Sequence, residues 1–200
     1  MVGFATFSIH AAEQPGGQAK KYFDRGNEFF KKDSLPRAKA EYVRALKLEP
    51  QFLDALYNLA VVCERLNQKE EAAKHYQAYL KIKPKDADVW NQVGVLLDED
   101  GKDAAAEAAY REALKLNPNF SRAHHNLGML LKEQGKIDEA QQHLEKQLKL
   151  EEAAGRRNGE AYYSLGILYL QSGRLKETKL NSEKAKPPAT GWLRTDKHDS

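Results

Sequence analysis

The sequence predicts an all-α chain built from stacked antiparallel helix pairs. Three observations predict it. Ala, Leu, Lys, Glu and Gln, all good helix formers, dominate the 200 residues. One segment recurs every 34 residues, and three of the recurrences end on a proline. A composition of 41% hydrophobic and 30% charged residues suits a folded helical protein and excludes bulk disorder. β-branched residues are sparse, which argues against a large sheet.

The recurrences start at Ala19, Leu53, Ala87 and Ser121, each step 34 residues, and a fifth starts at Gly159 after a step of 38. The expected organisation is a flexible segment over 1–17, an array over 18–186 and a disordered basic tail over 187–200. The repeats fall at about 19–52, 53–86, 87–120, 121–158 and 159–186. In the second, Leu56, Leu59, Ala60 and Cys63 fall at helical spacing, as do Ala72, Ala73, Tyr76 and Leu80. Each repeat is therefore read as two amphipathic helices.

Small residues recur twelve apart: Gly26 with Ala38, Ala60 with Ala72, Gly94 with Ala106, Gly128 with Ala140. They mark the close approach of two helices, where a bulky side chain would force the backbones apart. Pro50, Pro84 and Pro118 stop the second helices, because proline lacks the N–H and clashes with the preceding turn. Ser34, ahead of Leu35-Pro36, reads as an N-cap. The four extra residues before Gly159 add about one turn, extending a helix to about Ala154 with Gly155 as its αL cap. In the fifth repeat Thr178 replaces the small Ala and Ser182 the aromatic, so its second helix is expected to be a polar cap.

The third repeat reads Trp90, Val93, Gly94, Leu97, Ala106, Tyr110, Ala113, Pro118, and the first Tyr22, Gly26, Phe29, Ala38, Tyr42, Ala45, Pro50. This pattern resembles the tetratricopeptide repeat over about residues 19–186. The resemblance implies a right-handed α-solenoid of four full units and a degraded fifth. It also implies a non-catalytic scaffold or adaptor that binds a partner peptide or helix in its concave groove, lined by the first helix of each repeat. One inward column reads Phe23, Tyr57, Asn91, His125 and Tyr163, largely aromatic and planar. The next reads Asp24, Asn58, Gln92, Asn126 and Ser164. Its amides offer the donor and acceptor that a peptide unit needs. With Asn27, the expected groove residues are Phe23, Asn27, Tyr57, Asn58, Asn91, Gln92, His125, Asn126 and Tyr163. Groove charge is banded, with Asp54, Glu64, Asp88, Asp98 and Glu99 in the middle. A clamp for terminal carboxylates is not expected, since Phe23, Asp88 and Gln92 fill the places where such clamps carry cations.

No catalytic set emerges: no GxxxxGK[ST], GxSxG or HExxH is present. His124 and His125 are neighbours on a helix, so their side chains diverge by about 100°. His124 is expected in the core, and His75 and His143 on the surface. Cys63, the sole cysteine, is expected to be a buried small hydrophobe, and it excludes an intrachain disulfide. The expectation is no enzyme activity, no cofactor and no metal.

The net charge is +3, and the stretch from Arg174 onward carries seven basic and four acidic residues, which accounts for all of it. The preceding body has no overall field to attract nucleic acid, so a protein or peptide partner is expected. No apolar run reaches the roughly 18 residues of a membrane span. The expected location is cytoplasmic, or periplasmic or exported if residues 1–12 end a signal peptide. The alternative function is a self-associating structural subunit or an envelope or secretion assembly factor, motivated by Phe4, Phe7 and the unusual Arg25.

Overall fold

The computed structural model describes residues 15–156 and 159–185. The flexible segment expected over 1–17 lies mostly outside them, and the expected tail over 187–200 lies wholly outside. Ten helices and no strand occur among the described residues: α1 (Pro15–Lys31), α2 (Leu35–Leu48), α3 (Leu53–Arg65), α4 (Lys69–Ile82), α5 (Ala87–Glu99), α6 (Asp103–Leu116), α7 (Ser121–Glu133), α8 (Ile137–Ala153), α9 (Gly159–Gln171) and α10 (Leu175–Ala185). They pack as successive antiparallel pairs. The chain divides into two compact units, Met1–Lys85 with α1–α4 and Asp86–Ser200 with α5–α10.

The repeat is visible in how each helix stops. Second helices α2, α4 and α6 end at Leu48, Ile82 and Leu116, two residues before Pro50, Pro84 and Pro118. The residue between has left the helical region in each case, with φ of −135°, −126° and −135° at Glu49, Lys83 and Asn117. Proline excludes the helical conformation from the residue before it.

First helices stop differently. Asp33, Asn67, Gly101, Gly135 and Gly173 have φ of 56°, 58°, 69°, 76° and 73°. Each sits in the same double hydrogen bond; at Gly101, its N–H reaches Asp98 O at 2.9 Å and Lys102 N–H reaches Leu97 O at 2.9 Å. This pattern satisfies carbonyls left over at a helix end and needs a left-handed residue. Gly155 closes the longer α8 in the same way, with Arg156 N–H on Glu151 O at 2.9 Å. At Asn67 a side chain occupies this left-handed position. Asn67→Gly is expected to raise stability by about 0.5 kcal/mol, because glycine adopts this conformation without steric cost. A urea midpoint that falls instead would show that the Asn67 side chain stabilises the turn.

The close approach between paired helices is set by a ring. Tyr42, Tyr76 and Tyr110 are buried at 0%, 0% and 1% exposure. A Cβ added at Gly26 would meet the Tyr42 ring at 2.5 Å, and one added at Gly94 the Tyr110 ring at 2.5 Å. At Gly128 it would meet Leu144 at 2.9 Å. The glycines thus make room for the residue sixteen positions on, and at Gly128 also for the small residue at twelve, whose carbonyl a Cβ would meet at 3.4 Å. Each tyrosine hydroxyl then donates to its first helix: Tyr42 to Asn27 Oδ1 (2.7 Å), Tyr76 to Glu64 Oε2 (2.6 Å) and Tyr110 to Asp98 Oδ2 (3.2 Å). Two of the acids read as open groove charges are therefore acceptors for buried rings.

The last pair lacks this lock. Ser182 stands at the ring position, and a Cβ at Gly166 would meet nothing nearer than Asn181 Cβ at 3.6 Å. Helix α10 buries Asn181 alone, as the expected polar cap does, and leaves Leu175 and Leu180 exposed at 66% and 51%. Ser34 stands at the start of α2 but makes no capping bond through its side chain, contrary to expectation; Asp86 caps α5, accepting from Val89 N–H at 3.3 Å.

Candidate protein-interaction site

Cys63 is fully buried in α3, as expected, and burial first pushes its thiol up to about 11, so it is no nucleophile at neutral pH. His124 is buried at 8% exposure. His75 and His143 are half-buried rather than on the surface. His124 Nε2 lies 3.1 Å from Pro118 O, and its Nδ1 lies 2.9 Å from His143 Nδ1. A carbonyl only accepts, so neutral His124 carries its proton on Nε2, and His143 Nδ1–H donates to His124 Nδ1.

A proton added to His124 Nδ1 would set two N–H groups face to face. Burial, then the neighbouring His124, push His143 from its ordinary 6.5 down to about 4; burial also lowers His124. The unfolded chain protonates His143 near 6.5 and the folded chain only near 4, and His124 is lowered in the same direction. Stability is therefore full above pH 6.5 and is lost as pH falls toward 4. We expect His143→Gln to remove about 2 kcal/mol of the loss between pH 7 and 4.5. Urea unfolding at the two pH values checks this, and equal losses in both proteins would refute the pairing.

The expected groove residues do not behave as one open row. In the first unit, Phe23 on α1 packs on Tyr42 and Phe52 at ring distances of 5.7 and 4.9 Å. Tyr57 on α3 packs on Tyr76 and Tyr79 at 5.8 and 6.1 Å. These rings are half-buried parts of the helix pairs. Between them Asn58 Nδ2 donates to Asn27 Oδ1 at 2.9 Å, the same oxygen that accepts from Tyr42. Asn58 also hydrogen-bonds with Tyr42, so Asn27, Asn58 and Tyr42 form one side-chain network.

In the second unit Asn91, Gln92, Val95, Arg122, His125, Asn126, Gln147 and Glu151 line an open cleft of about 380 Å³. Asn91 is buried at 2% exposure and forms its floor. Asn126 Nδ2 donates to Asn91 Oδ1 at 3.0 Å, and Asn91 Nδ2 to Gln92 Oε1 at 3.4 Å. Gln92 Nε2 and Asn126 Oδ1 make no hydrogen bond among the described residues and border the cleft. Across from them His125 Nδ1 donates to Gln147 Oε1 at 3.1 Å, and Gln147 Nε2 to Glu151 Oε1 at 3.2 Å. Arg122 pairs with Asp88 at 3.0 Å on the rim. Tyr163 on α9 is 63% exposed and lies outside this cleft.

Sequence reasoning missed Gln147, Glu151 and Val95. It assigned the groove to first helices, whereas Gln147 and Glu151 come from α8. Their signal was four-residue spacing on the face of α8 that also carries buried Leu144 and Leu148.

Residues 56–186 match the family model of the cilia and flagella-associated protein 70 middle TPR-like domain, and residues 23–87 match that of the tetratricopeptide repeat. No curated protein sequence matches the chain significantly. Among solved structures, MamA is similar with a TM-score of 0.77 and 22% identity, over 85% of this chain and 91% of that one. YrrB, a TPR protein with an unusual peptide-binding site, is similar with a TM-score of 0.70 and 23% identity over 84% of each chain. PilF of Pseudomonas aeruginosa gives 0.71 and 22% identity, over 86% of this chain and 76% of that one. At these identities the likeness is one of fold.

Proposed function

Because the chain belongs to the tetratricopeptide-repeat family, we propose that it is a non-catalytic interaction scaffold that holds an extended segment of a partner protein on its first-helix faces. The observation that carries this reading is the paired free donor and acceptor on Gln92 and Asn126 at the cleft of the second unit. A peptide unit offers the complementary C=O and N–H, so an amide pair can hold a backbone whatever its sequence. Val95 and the His125 ring add apolar surface for one side chain of the ligand. Asn27 and Asn58 form a second amide pair in the first unit. The peptide-binding site of YrrB supports a peptide as the ligand class.

The test starts from a random-sequence peptide library displayed on phage and selected on the wild-type chain. Selected peptides are titrated onto wild type and Asn58→Ala/Asn126→Ala. The variant should bind at least about tenfold more weakly, since losing each hydrogen bond costs on the order of 1 kcal/mol. Unchanged affinity with intact helicity would sink the amide version of this reading.

A further inference from the structure

The first unit holds a side-chain cluster that the scaffold role does not use. Cys63 Sγ, a Glu71 carboxylate oxygen and a His75 ring nitrogen all lie within 4.8 Å of one another. Cys63 closes the last turn of α3, and Glu71 and His75 stand four apart on α4, so the two α4 side chains share one face. We propose that these three residues bind a single soft divalent cation of the Zn²⁺ type.

Three features carry the assignment. First, thiolate, imidazole and carboxylate are the three protein ligands that zinc takes, and three of them with one open position for water make a four-coordinate site. Second, the geometry is close. Tetrahedral bonds of about 2.0–2.3 Å set ligand atoms roughly 3.3–3.8 Å apart, and His75 Nε2 already lies 3.9 Å from Glu71 Oε1. Small rotamer changes on α4 bring the remaining atoms in. The side chains of His75 and Glu71 are 23% and 39% exposed, which gives the ion a path to the buried sulfur.

Third, the neighbours are arranged around such an ion. Lys39 from α2 sits on the other carboxylate oxygen, Glu71 Oε2, at 2.6 Å, and on Gln68 Oε1 at 2.7 Å. It therefore orients Glu71 without occupying the oxygen that faces His75, as outer-shell partners of metal ligands do. On binding, the Cys63 thiol gives its proton to solvent and its sulfur lone pair to the metal. The product sets a thiolate and a carboxylate against the two positive charges of the ion, with the Lys39 ammonium outside them on Glu71 Oε2.

The test uses the full chain, reduced and stripped of metal, titrated with Co²⁺ alone and then with Zn²⁺ alone. Cys63 is the sole cysteine, so a thiolate-to-cobalt charge-transfer band reports this site and no other. One equivalent of Co²⁺ should produce the band, and Zn²⁺ should abolish it by displacement. Cys63→Ala should lack the band. His75→Gln and Glu71→Gln, each confirmed as folded by circular dichroism, should bind at least about tenfold more weakly. No band in the wild type would overturn the assignment. So would a band of unchanged affinity in His75→Gln and Glu71→Gln, since the sulfur would then bind alone.

Discussion

Tyr110→Ala is expected to destabilise the protein by about 4 kcal/mol. Tyr110 is 1% exposed and lies in a core cluster with Leu127, Leu131 and Leu144. Truncation removes a buried ring and leaves a cavity that the surrounding helices only partly close. It also strips Asp98 of its hydroxyl donor. Burial already raises the Asp98 carboxyl above its ordinary value, with the Tyr110 hydroxyl pulling it back. Tyr110→Phe separates the two effects and should cost only about 1 kcal/mol. The check is urea unfolding followed by circular dichroism. A loss under about 1 kcal/mol for the alanine variant would mean that the ring does not hold α5 to α6.

Gly94→Val should cost about 3 kcal/mol for the opposite reason. The added Cβ would stand 2.5 Å from the Tyr110 ring, and that ring is buried with no solvent side to move into. Valine is slightly better than glycine in a helix, so the backbone preference works against the loss and does not cause it. The matched control is Gly166→Val, where the nearest atom to a new Cβ is 3.6 Å away and a much smaller loss is expected. Combining Gly94→Val with Tyr110→Ala should give less than the sum of the two, because the valine grows into the space the ring vacates. Additive losses would show that the two residues do not share one contact.

Much of this fold is legible in the sequence, and the reason is periodicity. The helix pairs follow from Gly26, Gly94 and Gly128 with Pro50, Pro84 and Pro118, since each of these residue types has a backbone or steric meaning that needs no tertiary context. The αL stop at Gly155 follows for the same reason. The site is less legible. Phe23 and Tyr57 lie on the expected face, but whether a ring stands free or folds back on Tyr42 or Tyr76 depends on rotamers that spacing does not encode. Asn91 and Asn126 occupy adjacent columns in the repeat. That Asn91 sinks to 2% exposure and accepts from Asn126 depends on how α5 and α7 are set against each other. His143 differs from the expected surface residue for a related reason: its ring packs against His124 on a different helix, a contact that spacing along α8 does not encode.

A partner segment lying along the amide-bordered cleft is within reach of a photocrosslinker placed there. A benzophenone amino acid is placed at Val95, which lines the cleft without supplying an amide, and separately at Ala108, which is exposed on α6. A selected peptide should crosslink strongly from position 95 and at background level from position 108. Equal yields at both positions, or crosslinks from 108 alone, would contradict the account.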